Sequence, residues 1–157
     1  MIIKGLNECD FVNYKKASMF ISFPFCTFKC EKECGEHCCQ NSALAQASNI
    51  DVNVESLVER YLSNQITSAV VFGGLEPLDS WDDVKIFIET LRKYTDNDCV
   101  IYTGYNKNEC EDKIKWLKQF PNIIIKFGRY RPNDTPHYDP ILEVQLASSN
   151  QSAERIS

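Results

Sequence analysis

Four short apolar runs recur along the chain, each closed by Gly or Pro: "SMFISFP" (18–24), "SAVVFGG" (68–74), "DCVIYTG" (98–104) and "NIIIKFG" (122–128). Unbroken apolar character over so few residues marks strands buried on both faces. Between the runs the period changes to that of a helix. "VESLVERYLSNQ" places Val54, Leu57, Val58, Tyr61 and Leu62 on one face, and "WDDVKIFIETLRKY" does the same with Val84, Phe87, Ile88 and Leu91 behind a Ser80 cap. "NECEDKIKWLKQF" follows with Ile114 and Leu117 until Pro121 stops it. Strand and helix alternating in this way predict an α/β fold with a parallel sheet and right-handed crossovers.

A complete eight-fold (β/α) barrel takes about 250 residues, and this chain has 157. The expectation is therefore a partial (β/α) barrel, or an open curved parallel sheet, with one flank left uncovered. No internal repeat, low-complexity linker or composition break divides the chain, so residues 1–157 read as a single domain. The last residues, "QSAERIS", are expected to be loose. In parallel sheets the chemistry gathers at the C-terminal strand ends. A cysteine-rich segment follows the first run, "GGLEP" the second and "TGY" the third, so all three motifs are expected on one rim.

Charge narrows the function. With 22 acidic against 17 basic residues and no basic block, a nucleic-acid groove is not expected. Only "KFGRYRP" gathers Lys126, Arg129 and Arg131 around aromatics, and it reads as a solvated turn in preference to an anion or partner patch. The start "MIIKGLNECDFVNYKK" has no apolar stretch behind a basic leader and the apolar runs are short, so neither signal peptide nor membrane span is expected and a cytoplasmic location follows.

Five of the eight cysteines fall in "CTFKCEKECGEHCCQN", at Cys26, Cys30, Cys34, Cys38 and Cys39. In a reducing compartment, clustered thiols point to metal or redox chemistry more than to bridges. Two ligand chemistries compete. A structural zinc would draw four ligands from these cysteines and His37, although the usual CxxC pairs are missing. An iron–sulfur cluster held by only three thiolates would leave one iron open to another ligand. The scattered Cys9, Cys99 and Cys110 read as idle thiols, His137 as a surface residue, and Asp10 with Asn13 as a turn.

"FPFCTFKC" resembles the start of the CxxxCxxC loop of radical S-adenosylmethionine enzymes, which also follows the first strand, and Cys26 with Cys30 matches its first pair. "FGGLEPL" resembles their glycine-rich "SGGEPL" segment: aligned without a gap, Gly73 takes the place of the Ser, Gly74 is kept, Leu75 replaces a Gly, and Glu76 and Pro77 match. Within that superfamily the resemblance is closest to the activating proteins of anaerobic ribonucleotide reductase. "DFVN" (10–13), "IYTGY" (101–105) and "SSNQ" (148–151) fall in the same order along the chain as in that family. The third cysteine is displaced. In the activating proteins it commonly precedes an aromatic residue and Asn, a frame that "CQN" at Cys39–Asn41 fits with Gln40 in the aromatic's place. The resemblance thus implies Cys26, Cys30 and Cys39 as ligands, with Cys34 the alternative third, and an insertion "EKECGEHC" that Gly35 helps to turn.

What the resemblance implies is specific. Three thiolates would carry a 4Fe–4S cluster whose fourth iron binds the amino and carboxylate groups of S-adenosylmethionine. Gly73, Gly74, Leu75 and Glu76 would bind that cofactor through an exposed backbone edge and a carboxylate able to accept from its ammonium. A one-electron donor such as a flavodoxin would reduce the cluster, and the resulting 5′-deoxyadenosyl radical would take a hydrogen from a glycine in the reductase catalytic subunit. Two other readings stand beside it: a radical enzyme of the same type acting on another protein, peptide or small molecule, and a zinc-binding interaction module.

Overall fold

The computed structural model describes residues 1–157. Strands β1 (Ile2–Ile3) and β2 (Gly5–Asp10) open the chain, and a loop leads into β3 (Ser18–Phe23). The cysteine segment carries the short helices α1 (Lys29–Cys34) and α2 (Ser42–Gln46), followed by β4 (Ile50–Asp51), which pairs with β1. Then come α3 (Val54–Ser63), β5 (Ala69–Gly74), α4 (Trp81–Leu91), β6 (Asp98–Tyr102), α5 (Glu111–Leu117) and β7 (Ile123–Phe127). A hairpin of β8 (His137–Asp139) and β9 (Val144–Leu146) precedes β10 (Ser152–Arg155).

The four apolar runs are β3, β5, β6 and β7, which lie side by side in parallel register. The sheet around them is mixed: the order is β10-β7-β6-β5-β3-β2, with β2 and β10 antiparallel at the two edges. The expectation of a loose "QSAERIS" is therefore corrected. Ser152–Arg155 pairs with β7, and Arg155 also reaches Asp98 at 3.0 Å. An edge position satisfies backbone groups that a solvated tail would leave to water, and nothing in the local sequence signals that pairing.

Alternation along the strands sorts the residues into two unequal cores. Met19, Ile21, Phe23, Val70, Phe72 and Ile101 face α3, α4 and α5 in a core of 23 buried residues. Phe72 sits edge-on between Phe23 and Phe87. On the opposite face Ala69, Val71, Val100 and Ile124 meet Tyr14, Leu142, Leu146 and Ala153, with Phe20, Tyr102, Ile141 and Val144 packed around them. No helix covers this second face. The loop after β2 and the β8–β9 hairpin close its lower part. Asp98 fastens that loop, accepting from Tyr14 and Lys16.

The expected helical faces are buried as read except for Leu62, which is exposed. The third helix is shorter than its pattern, because a 3₁₀ turn at Lys107–Glu109, closed by a capping box with Asn106, precedes it. Ser80 stands before α4 but makes no capping bond. The capping carboxylate is Glu76, which accepts from Leu78 N–H at the start of a 3₁₀ turn over Pro77–Ser80. No helix is long and apolar enough to cross a membrane.

Candidate functional site

At the C-terminal ends of β3 and β5 the chain must pass two backbones at close range. Ser22 pairs with Gly73, and Phe23 with Gly74. A Cβ on Gly73 would lie 2.5 Å from the Phe20 ring. One on Gly74, which has φ +80, would lie 2.8 Å from the Ser22 Cα. Glycine at 74 is thus required by conformation and by space. Beyond the strands the two segments stay zipped: Leu75 N–H donates to Phe23 O at 3.2 Å and Glu76 N–H to Phe25 O at 2.8 Å. The "GGLEP" edge is therefore built against the first residues of the cysteine loop.

The loop then makes one tight circuit. Cys26 Sγ accepts from Phe28 N–H at 3.2 Å, and α1 starts from Phe28 in a left-handed conformation. Gly35, with φ +75, closes α1 by donating to Glu31 O. The return limb is pinned twice, by Cys39 N–H on the Glu31 carboxylate at 3.3 Å and by Asn41 Nδ2 on Gly74 O at 2.7 Å. The inserted residues are thus accommodated as a short helix and turn.

A cavity of about 400 Å³ opens where these parts meet, on the helix-free face. Cys26, Cys30 and Cys39 line it together with Gly73, Gly74, Leu75 and Glu76. Cys34 and Cys38 do not. The Cys34 thiol donates to backbone carbonyls, at 3.2 Å to Glu36 O and 3.6 Å to Glu31 O, and Cys38 stands beside it. All eight cysteines are free thiols. Burial, together with the Glu76 and Asp79 carboxylates, pushes Cys26 up to about 12, and burial beside Cys39 raises Cys30. Such thiols are poor nucleophiles alone, and their thiolates call for a cationic ligand.

The donor set distinguishes the two metal chemistries. His37 is fully exposed and contacts only Glu31, at 3.4 Å. No three Cys, His, Asp or Glu side chains converge on one point as a single ion requires. Cys26, Cys30 and Cys39 all line one cavity, and three thiols are the number that a cluster with three protein ligands and one open iron would take. The residues present fit that group.

Glu76 is 6 % exposed. Its Oε1 accepts from Leu78 N–H at 3.0 Å and Thr103 Oγ1 at 2.8 Å, and its Oε2 from Gly104 N–H at 2.8 Å. Burial nevertheless raises it to about 7. The carboxylate bolts the end of β6, the "TGY" segment, to the end of β5. Of its roughly four lone-pair positions three are used, which leaves one for a ligand.

The reading of "KFGRYRP" as a solvated turn is corrected. Lys126 is 7 % and Arg129 5 % exposed, both line the cavity, and only Arg131 faces solvent. Arg129 grips Glu109 with two bonds, 2.7 and 2.6 Å, and stands 3.1 Å from Glu33 of α1. Lys29 of the same helix reaches Glu109 at 3.3 Å. These contacts hold Glu109 down to about 2 and moor the cysteine helix to β7. The strand alternation could have signalled Lys126, since it shares the parity of Ile124 on the helix-free face. Nothing local signals Arg129.

Of the remaining candidates, Asp10 makes the expected turn, accepting from Asn13 N–H at 2.9 Å, and Asn13 also reaches the cavity wall. Gln151 of "SSNQ" folds over the backbone of Ala147 and Ser148 beside the cavity. Cys9, Cys99, Cys110 and His137 lie outside it.

Residues 16–152 match the family described as 4Fe-4S single cluster domain. The match takes in most of the chain, which therefore belongs to this family and is an iron–sulfur protein. No curated protein and no solved structure matches the chain.

Proposed function

We propose that the chain is a radical S-adenosylmethionine activating enzyme whose open sheet is a partial barrel of that superfamily. Its substrate would be the catalytic subunit of an anaerobic ribonucleotide reductase, and its reductant a one-electron donor such as a flavodoxin, in the cytoplasm. The observation that carries the reading is the shared cavity. The three cysteines marked by the motif resemblance face it beside the glycine segment, while the two surplus cysteines turn away. The matched family also occurs among radical S-adenosylmethionine-related proteins.

In this reading Cys26, Cys30 and Cys39 hold the 4Fe–4S cluster. When bound, the cluster and S-adenosylmethionine supply one-electron reductive cleavage of a sulfonium and hydrogen abstraction by the resulting radical. The chain's own work is positional. Gly73 and Gly74 bring bare backbone to the cavity edge, and Glu76 offers its remaining lone pair to an ammonium. Phe20, Tyr102 and Tyr105 line the walls and limit water. The loop after β2 and the β8–β9 hairpin close only the lower part of the helix-free face, so in this reading a partner's glycine loop would approach at the cavity mouth above them.

The test mixes the reduced, cluster-loaded protein with S-adenosylmethionine and a candidate reductase under anaerobic conditions. A glycyl-radical signal by electron paramagnetic resonance, abolished by Cys26→Ala or Cys30→Ala, is the expected result. Cofactor cleavage without that signal would move the substrate to another protein, peptide or small molecule, a reading that Leu75 in place of the usual glycine favours. Colourless protein with stoichiometric zinc would refute both and leave the zinc-binding module.

A further inference from the structure

The cavity takes three of the five clustered thiols and leaves a pair outside it. Cys34 ends α1, Gly35 reverses the chain in a left-handed conformation, and Cys38 returns to stand beside Cys34. Both side chains are half-buried, and both are free thiols. The Cys34 thiol donates to Glu36 O at 3.2 Å, inside the same turn. No third ligand completes a metal site around the pair. His37, between them in sequence, is fully exposed and contacts only Glu31, and no three Cys, His, Asp or Glu side chains converge on one point.

Two adjacent thiols without a metal have a reversible chemistry of their own, closure to a disulfide. A bridge needs Cα atoms about 4.4–6.8 Å apart, a span that five residues folded back at a left-handed glycine can hold. Stability does not explain the pair, because closing so short a loop removes little entropy from the unfolded chain. Its position points to another use. Cys34 lies on the helix that carries Cys30, and Cys38 immediately precedes Cys39, so the pair spans the two limbs of the cluster loop. In the thiol form the hydrogen bond that holds Cys39 to α1 is its N–H on the Glu31 carboxylate, at 3.3 Å.

We propose that Cys34 and Cys38 are a second redox site, a dithiol that closes to a disulfide and ties α1 to the limb bearing Cys39 while the three cavity cysteines hold the cluster. The oxidant is a small-molecule disulfide of the glutathione class. One cysteine of the pair, as its thiolate, attacks this disulfide and displaces one small thiolate; the other then attacks the mixed disulfide and displaces the second. Two S–H bonds are lost and one S–S bond forms within the chain. The two protons leave with the two small thiols, and the oxidant takes up two electrons. The inference rests on Cys26, Cys30 and Cys39 as the cluster ligands and does not rest on S-adenosylmethionine.

Cluster-loaded protein equilibrated anaerobically with glutathione and glutathione disulfide tests it. After free thiols are alkylated in denaturant, cleavage behind Glu36 separates Cys34 from Cys38 unless a bridge joins them, and mass spectrometry reads the joined fragments. A Cys34–Cys38 bridge with Cys39 alkylated is expected, formed while iron content and visible absorbance stay unchanged. Dithiothreitol should remove it, and Cys34→Ser and Cys38→Ser should lack it while keeping the cluster. Iron release to a chelator should slow several-fold in the bridged wild type and recover on reduction, with no response to the redox buffer in either serine variant. The proposal is overturned by the absence of a bridge in the most oxidising buffer, by bridging that involves Cys26, Cys30 or Cys39 and proceeds only as iron is lost, by equal release rates with and without the bridge, or by loss of the cluster in Cys34→Ser. S-adenosylmethionine cleavage measured on the same samples reports on the earlier reading alone: a bridge that forms as expected in protein that never cleaves the cofactor upholds this proposal and refutes that one.

Discussion

Replacing Gly74 by Ala separates two reasons for a glycine, because the chain contains its own control. Gly74 and Gly35 have nearly the same positive φ, +80 and +75. An added Cβ at 35 meets nothing within 4 Å, whereas at 74 it lies 2.8 Å from Ser22 Cα and 2.9 Å from Phe23 N, both backbone atoms of the paired strand. The left-handed conformation costs a side chain about 1–2 kcal/mol. Restricting the unfolded chain returns about 0.4–1 kcal/mol. Gly35→Ala should therefore destabilise by about 1 kcal/mol or less on these terms. Gly74→Ala adds an overpacking cost of about 1–3 kcal/mol, for a total of about 2–4 kcal/mol, against a usual domain stability of about 5–15 kcal/mol. With a urea slope of about 2 kcal/mol/M, the unfolding midpoint of the ligand-free, reduced protein should fall by about 1–2 M. For Gly35→Ala it should fall by less than about half that. Circular dichroism during urea unfolding reads both. Iron content after reconstitution should also fall for Gly74→Ala, because its carbonyl anchors Asn41 next to Cys39. Midpoints displaced equally in the two variants would refute the argument that contact with β3, and not φ alone, requires glycine at 74.

Three further outcomes follow from the site. Cys26→Ala, Cys30→Ala and Cys39→Ala should lose the cluster, read as iron and sulfide content and visible absorbance, while Cys34→Ala and Cys38→Ala keep it. Loss in Cys34→Ala with retention in Cys39→Ala would show the ligand set to be wrong. Glu76 is raised from its ordinary value of 4.5 to about 7, so the folded state holds its proton more tightly than the unfolded chain. Its contribution to stability is whole below about pH 4.5 and is lost as pH rises to about 7. Glu76→Gln should flatten that decline in a series of melting curves, and an unchanged slope would contradict the assignment. Glu109→Gln leaves Arg129 and Lys29 without their common carboxylate, a loss of about 1–3 kcal/mol for a charged hydrogen bond. Cluster release to an iron chelator should quicken several-fold, and an unaltered release rate would show that α1 does not need this mooring.

The sequence by itself determined what depends on neighbours along the chain. Period and apolar runs fix four strands and the helices between them, because burial of a strand or of one helical face needs residues at fixed spacing. Cys26, Cys30 and the "GGLEP" turn were legible because each motif is a few residues long and the alternation of strand and helix carries them to one rim. Cys39 rested on the resemblance of "CQN", and the structure brings it to the cavity with the other two. What depends on distant partners was not legible. The last residues became an edge strand because β7 had unpaired backbone groups, a need that "QSAERIS" does not encode. Cys34 and Cys38 turn from the cavity because Gly35 closes α1 and Glu31 reaches back to Cys39. Lys126 and Arg129, read as a solvated turn, face inward because the register of β7 beside β6 sets the direction of Lys126, and carboxylates of two other segments meet Arg129. Local spacing chooses the elements. Which side chains share a cavity, and which charges there go unpaired, is decided only when separate elements pack.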